Sequence, residues 1–451
     1  MIAFVFAAAV AASDPTVLTV LSMDDAIALA VANDPGVDRA TVQVDRARLR
    51  TRRANLDRLR ASVDVNAQAL YVSPNFFSAS TAPYGALLPL GTMQGAFAAP
   101  LFSGWRIESS IDEAAVLEQA AAADVNVERA AVALAAARAW WSVRRLSLLE
   151  DALLASDTRL QESERLVKAR VTAGLAAGLD ENRAASRRVQ LEVERQGLQA
   201  QRREALVQLA LVLGVSSPVS LQDAAPTNDD LDEDDVEKAV TRAFDHRPQL
   251  RATDLRTQAL SSEKRAAESS YWPQVDAVGL LQLGNNPSLP GADARSVSGV
   301  LVDGNLQAGV VLKWNLFDTW ATTNAVEDVE HRLRIAEAER RALKNGVENA
   351  VRLAAARVVS LREQRAVLAK ARAILDDNLN NLEKAWQRGE VLFTEVLDAQ
   401  VEVAGNDRQV VDVDAQLALA RLELRASVDG VVSSSTSSTS SSSATYEKGT
   451  P

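Results

Sequence analysis

Leu101-Phe102-Ser103-Gly104-Trp105 and Leu316-Phe317-Asp318-Thr319-Trp320 lie 215 positions apart and share one pattern, Leu-Phe-x-x-Trp. Each follows a stretch of period-two alternation and precedes a long heptad-patterned stretch, so each marks a junction of strand and helix. Other landmarks keep nearly the same register. Asn33-Asp34-Pro35 answers His246-Arg247-Pro248 at an offset of 213. Gly174 answers Gly389, Asp180 answers Glu395 and Ala184 answers Ala399, all at 215. Landmarks held in register over such a distance signal an internal duplication. The two repeats are placed at 21–214 and 235–430.

Each repeat reads as helix–strand–strand–helix. A helix of about 25 residues follows each proline (36–60 and 249–271), because proline is tolerated in a first turn. In 63–72 the apolar residues Val63, Val65, Ala67, Ala69 and Tyr71 alternate with a series beginning Asp64, Asn66, Gln68. In 306–316 Leu306, Ala308, Val310, Leu312, Trp314 and Leu316 alternate with residues that include Gln307, Gly309, Lys313 and Asn315. This predicts strands at about 63–72 and 305–316; weaker alternation predicts their partners at about 92–102 and 275–284.

The long helices carry heptads. Leu146, Leu153, Leu160 and Val167 fall at steps of seven. So do Leu191, Leu198, Ala205 and Val212, then Val347, Ala354, Leu361, Leu368, Leu375 and Leu382, then Val396, Val403, Val410, Leu417 and Leu424. Sustained heptads mean coiled-coil packing. Alanines at intervening sites (Ala336, Ala350, Ala371, Ala385) let helices approach closely. A helix from Trp105 to Ala173 would run roughly 100 Å.

Composition narrows the class. The chain has 451 residues, 47% of them hydrophobic but only 4% aromatic, and a net charge of −11. That charge repels nucleic acid. With no cysteine there is no disulfide framework, thiolate metal site or lipid-anchored cysteine. Residues 1–12 read as a signal peptide lacking a basic start, 215–234 as an acidic, solvated linker, and 431–451 as a disordered serine-rich tail. His246 and His331 stand far apart, so no metal site is expected. No nucleophile motif, Walker loop or dinucleotide turn is present, so neither an enzyme nor a cofactor is expected.

Twelve of the twenty aromatics sit at or beside the four strands, among them Tyr71, Phe76, Phe77, Tyr84, Phe102, Trp105, Trp314, Phe317 and Trp320. Aromatic girdles flank membrane strands in this way, and about ten residues suits a tilted membrane strand. Four strands cannot close a barrel, and lipid does not tolerate an open edge. Copies of the chain must therefore share one. Two copies give eight strands and a filled interior; three give twelve and a channel. The expected fold is an α+β membrane protein: a trimeric, twelve-stranded β-barrel on a long α-helical coiled-coil barrel. The alternative is a structural or adhesive coiled-coil protein with soluble hairpins.

Taken together, the duplication, the two proline turns, the two Leu-Phe-x-x-Trp junctions and the Gly-x5-acid turns at Gly174–Asp180 and Gly389–Glu395 resemble the TolC family of outer-membrane efflux proteins. The segment Glu395-Val396-Leu397-Asp398-Ala399-Gln400 is similar to that family's acidic-Val-Leu-Asp-Ala segment. The resemblance covers roughly 21–429. It implies a homotrimeric passive exit duct in the outer-membrane lipid, with a long periplasmic extension. Its partners would be a periplasmic adaptor and an inner-membrane pump. Small-molecule efflux is favoured, with protein secretion as the alternative on the same fold.

The resemblance also implies site residues. Members closed by a tyrosine–aspartate–arginine lock carry tyrosine where this chain has Trp386 and arginine where it has Val391. Asp180 matches the acidic partner, and Arg388 is a candidate substitute for the arginine. Glu395 and Asp398 share a helix face. They are read as helix-terminal acids or, in a trimer, as two acidic rings at the periplasmic mouth. Gly174 and Gly389 end long helices at the tips. Gly174 and Gly178 also fit a small-xxx-small spacing, which the turn position makes incidental.

Overall fold

The structure is a computed structural model that describes residues 19–72, 86–174, 177–216, 218–222, 235–284 and 303–429. The expected signal peptide, the acidic run 223–234, the serine-rich tail, Phe76, Phe77 and Tyr84 lie outside the described residues. In chain order the elements are β1 (Thr19–Leu21), α1 (Met23–Asn33), α2 (Pro35–Leu56), β2 (Arg60–Val72), β3 (Ala86–Phe102), α3 (Arg106–Thr172) and α4 (Gly178–Leu213). There follow β4 (Val219–Leu221), α5 (Val236–His246), α6 (Pro248–Glu268), β5 (Gln274–Gly284), β6 (Asp303–Lys313), α7 (Ala321–Arg388) and α8 (Phe393–Asp429). Two compact units result. One draws on Met1–Ala40, Asp124–Leu250 and Leu343–Pro451, the other on Thr41–Ala123 and Arg251–Ala342.

The second unit holds a four-stranded antiparallel sheet in the order β2-β3-β5-β6. Directly paired residues share a face. The register therefore puts Val63, Val65, Met93, Phe97, Leu281, Leu306, Val310 and Leu312 on one face, all exposed. The other face takes Asp64, Asn66, Gln94, Asp276, Gln282, Gln307 and Lys313. β2 and β6 are the edges, and each is paired on one side only.

Both strand–helix junctions use the same turn. Ser103 Oγ accepts from the backbone N–H of Ile107 at 3.2 Å, and Asp318 Oδ2 accepts from that of Thr322 at 2.8 Å. The backbone N–H of Arg106 donates to the Ser103 carbonyl (3.2 Å) as that of Ala321 donates to the Asp318 carbonyl (3.1 Å). Each turn passes through two left-handed residues, Gly104 and Trp105 (φ 61° and 64°), then Thr319 and Trp320 (φ 55° and 67°). The variable positions of Leu-Phe-x-x-Trp are thus a helix cap followed by a left-handed residue.

Several boundaries differ from expectation. β6 stops at Lys313, so Trp314, Leu316 and Phe317 lie past the strand. The approach to the left-handed turn ends the ladder there, and the Trp314 indole N–H donates to the Tyr271 carbonyl at 3.3 Å. β3 begins at Ala86 and β2 at Arg60, both earlier than expected. α2 ends at Leu56 because the N–H groups of Asp57, Arg58 and Leu59 turn back onto carbonyls of 53–56. The segment 215–234 is not all linker. β4 pairs in parallel with β1, and Val219 is buried. Asp235, at the end of the acidic run, caps α5 by accepting from the Lys238 N–H at 3.1 Å.

The first unit is built of helices around buried heptad positions. One cluster gathers Leu153, Leu160, Val167, Leu191, Val396 and Val403 from α3, α4 and α8, joined by residues of α7. A second packs α5 against Val347, Leu361, Leu417 and Leu424. A third packs α1 and the β1–β4 pair against Trp140, Val143, Leu209 and Leu213. Fully burying a valine stabilises by about 1.5–3 kcal/mol, and the heptad valines Val167, Val347 and Val403 are all fully buried. Among the described residues no helix is long and apolar enough to cross a membrane.

Candidate functional site

The candidate site is the pair of helix turns in the first unit, α3 into α4 and α7 into α8. Gly389 has φ 78°, and its N–H donates to the Trp386 carbonyl while that of Glu390 donates to the Ala385 carbonyl, both at 2.9 Å. This is a Schellman ending, which glycine makes possible because it has no Cβ to oppose positive φ. Gly174 has φ 71°, and its N–H donates to the Val171 carbonyl at 3.0 Å. Gly178 begins α4.

The two turns meet in one cluster. Trp386 is 7% exposed and Phe393 2%, with ring centroids 5.2 Å apart. Val391 packs against the same cluster. Ala184 and Ala399, matched in the sequence, are both buried in it. Arg170, in the last turn of α3, reaches across to α7. Its guanidinium lies 4.8 Å from the Trp386 ring centroid, and Nη1 donates to the carbonyls of Trp386 (2.9 Å) and Gln387 (3.2 Å). A cation here satisfies open carbonyls and opposes the negative helix end. Arg170 was not anticipated. Its sequence signal is a basic residue one turn before the glycine that ends a long helix.

The expected lock partners do not meet. Arg388 makes a two-pronged ion pair with Glu390 at 2.7 and 2.8 Å, which raises the Arg388 pKa and lowers that of Glu390. Asp180 pairs with Arg183 of its own helix at 3.4 Å. In this protomer Arg388 is paired with Glu390 and Asp180 with Arg183. Three residues of separation is less than a helix turn, so Arg183 reaches Asp180 without any second helix.

The Glu395–Gln400 segment divides by face. Val396, Leu397 and Ala399 are buried, and Gln400 Nε2 donates to Ser163 Oγ at 2.7 Å. Glu395 and Asp398 are exposed, and neither has an ion-pair partner among the described residues. Of the aromatics expected at a membrane interface, Tyr71 falls near the end of β2. Phe102, Trp105 and Trp272 form an edge-to-face series with centroids 5.2 and 5.5 Å apart. Trp314, Phe317 and Trp320 are exposed. Among the described residues no cluster of histidine and acidic groups could hold a metal.

Residues 239–430 match the family model described as outer membrane efflux protein. The match spans the second repeat, less than half of the chain. The fold extends the likeness to the first half. CusC, described in a study of folding and transmembrane channel formation, is similar at TM-score 0.74 and 15% identity, covering 90% of this chain and 91% of its own. The outer membrane protein VceC from Vibrio cholerae is similar at 0.74 and 18%, covering 91% and 97%. The MtrE outer membrane channel of Neisseria gonorrhoeae, in its open state, gives 0.69 and 14%, covering 90% and 88%. No curated protein sequence matches. At these identities the structures establish the fold.

Proposed function

We propose that this chain is an outer-membrane efflux channel that works as a homotrimer, in which three four-stranded sheets close one twelve-stranded barrel and the long helices form a tunnel. The observation that carries this reading is the sheet itself. It has two unpaired edges and one face of exposed apolar side chains, and lipid accepts that face only if the edges are closed. Apolar stripes on the helices support it. Val189, Val193, Val207 and Leu211 stand exposed on α4, and Val367 and Ile374 on α7. Val193 and Val207 are two heptads apart, and Val367 and Ile374 one heptad. Such stripes suit a second copy of the chain.

The trimer serves as the exit duct of a multi-component system. It docks by its helix turns to a periplasmic adaptor, receives small molecules from an inner-membrane pump, and sets Glu395 and Asp398 in two acidic rings at the mouth. The test is purification in detergent, native mass measurement and recording in planar bilayers. A trimer that forms ion-conducting pores is expected, and Val367→Asp with Ile374→Asp should lower the trimer fraction. A chain that stays soluble and monomeric without detergent would defeat the reading in favour of a structural coiled-coil protein.

A further inference from the structure

Within the helical unit, α3, α7, α8 and the α5–α6 junction enclose a cleft of about 730 Å³. That volume lies inside the range of roughly 300–1,000 Å³ that small-molecule sites occupy. Its walls include Ala130, Ala131, Leu134, Ala350, Ala354 and Ala426. The charged residues lining it are Arg138, Arg247, Arg357 and Glu423. Glu423 is shared by Arg138 at 2.8 Å and Arg357 at 3.6 Å. The Arg247 guanidinium is half-buried and has neither an acid nor a hydrogen-bond partner among the described residues. Burial alone pushes its pKa below the ordinary value. The lining thus carries three cations against one carboxylate, in a chain whose net charge is −11.

A desolvated, unpaired cation costs free energy that an arriving anion returns. We propose that this cleft binds an amphipathic organic anion, with a carboxylate or sulfonate at Arg247 and a rigid apolar body against the alanine wall. Arginine offers a planar donor fork that matches such a group. A cation would meet repulsion from Arg247, and a neutral solute would leave that guanidinium unpaired. Binding stands on the cleft alone; that the occupant is transported cargo rests on the channel reading.

The experiment uses the full-length protein in lipid nanodiscs. It is titrated calorimetrically with cholate below its micelle concentration, with the neutral amide of cholate, and against empty nanodiscs. Cholate should bind saturably, and the amide about tenfold more weakly. Arg247→Gln should weaken cholate about tenfold and leave the amide unchanged. Glu423→Gln should tighten cholate, because it releases Arg138 and Arg357, and a misfolded variant would not gain affinity. Equal affinity for cholate and its amide, or no response to Arg247→Gln, overturns the proposal. Bilayer recordings on the same preparation separate the two readings. A conducting protein that ignores cholate defeats this inference alone, and a cholate-binding protein that never conducts defeats the channel alone.

Discussion

Arg170 Nη1 donates to the backbone carbonyl of Trp386 at 2.9 Å while the same guanidinium covers the Trp386 ring. One side chain of α3 therefore closes the end of α7 and stacks on its buried aromatic residue. Replacing Arg170 by Gln removes a charged donor and a cation–π contact, together about 2–3 kcal/mol. Amide exchange in residues 383–389 should accelerate by about thirtyfold or more, with α1 unaffected. Unchanged exchange there would show that the glycine ending holds the turn unaided.

Glu395 and Asp398 stand exposed on one face of α8 while their neighbours Val396 and Ala399 are buried. In a trimer the exposed carboxylates would attract cations. The double variant Glu395→Gln, Asp398→Asn should lower the cation-over-anion permeability ratio about twofold or more and weaken divalent block. Reversal potentials in salt gradients measure this, and identical potentials would leave the acids as helix-terminal residues only.

The two strand–helix turns differ at the left-handed residue after the cap. Gly104 has φ 61°, and a Cβ there would sit 2.7 Å from the Ser269 carbonyl oxygen and 3.0 Å from Trp272 Cβ. Thr319 occupies the matching place at φ 55°. Gly104→Ala should cost about 2 kcal/mol or more, from strain and clash together. Thr319→Gly should not destabilise, because relief of left-handed strain offsets the added freedom of the unfolded chain. Thermal melts of the two variants decide the matter, and matched losses would refute the asymmetry.

Glu113 is half-buried, and its pKa is raised first by burial and then by the Glu263 charge, with Arg332 opposing. A carboxyl with a raised pKa binds its proton more tightly folded than unfolded. Its contribution is most favourable below the ordinary glutamate range and is lost as pH rises through the folded value. Glu113→Gln should therefore stabilise at neutral pH, by less than about 1 kcal/mol given solvent screening, and leave stability near pH 4 unchanged. Denaturant midpoints across that range measure it, and a loss of stability at neutral pH would contradict the sign.

The sequence by itself determined the order of the long helices and of the four sheet strands, the two hairpin pairs and the helix termini at Gly174 and Gly389, but not the β1–β4 pair. Periodicity and glycine are local signals, set by the side-chain spacing of helix and strand and by the missing Cβ. Leu153, Leu160, Val167, Val396 and Val403 were legible as core because a heptad repeats along one helix face. Tertiary structure alone decided which partner each polar group takes. Arg388 turned to Glu390, Asp180 to Arg183, and Arg170 crossed from α3 to the end of α7. Nor could the alternation at 305–316 show that β6 would stop at Lys313, since the turn through Thr319 and Trp320 ends the ladder. The Arg170 contact depends on groups 216 residues apart meeting in space, and no local pattern encodes that meeting.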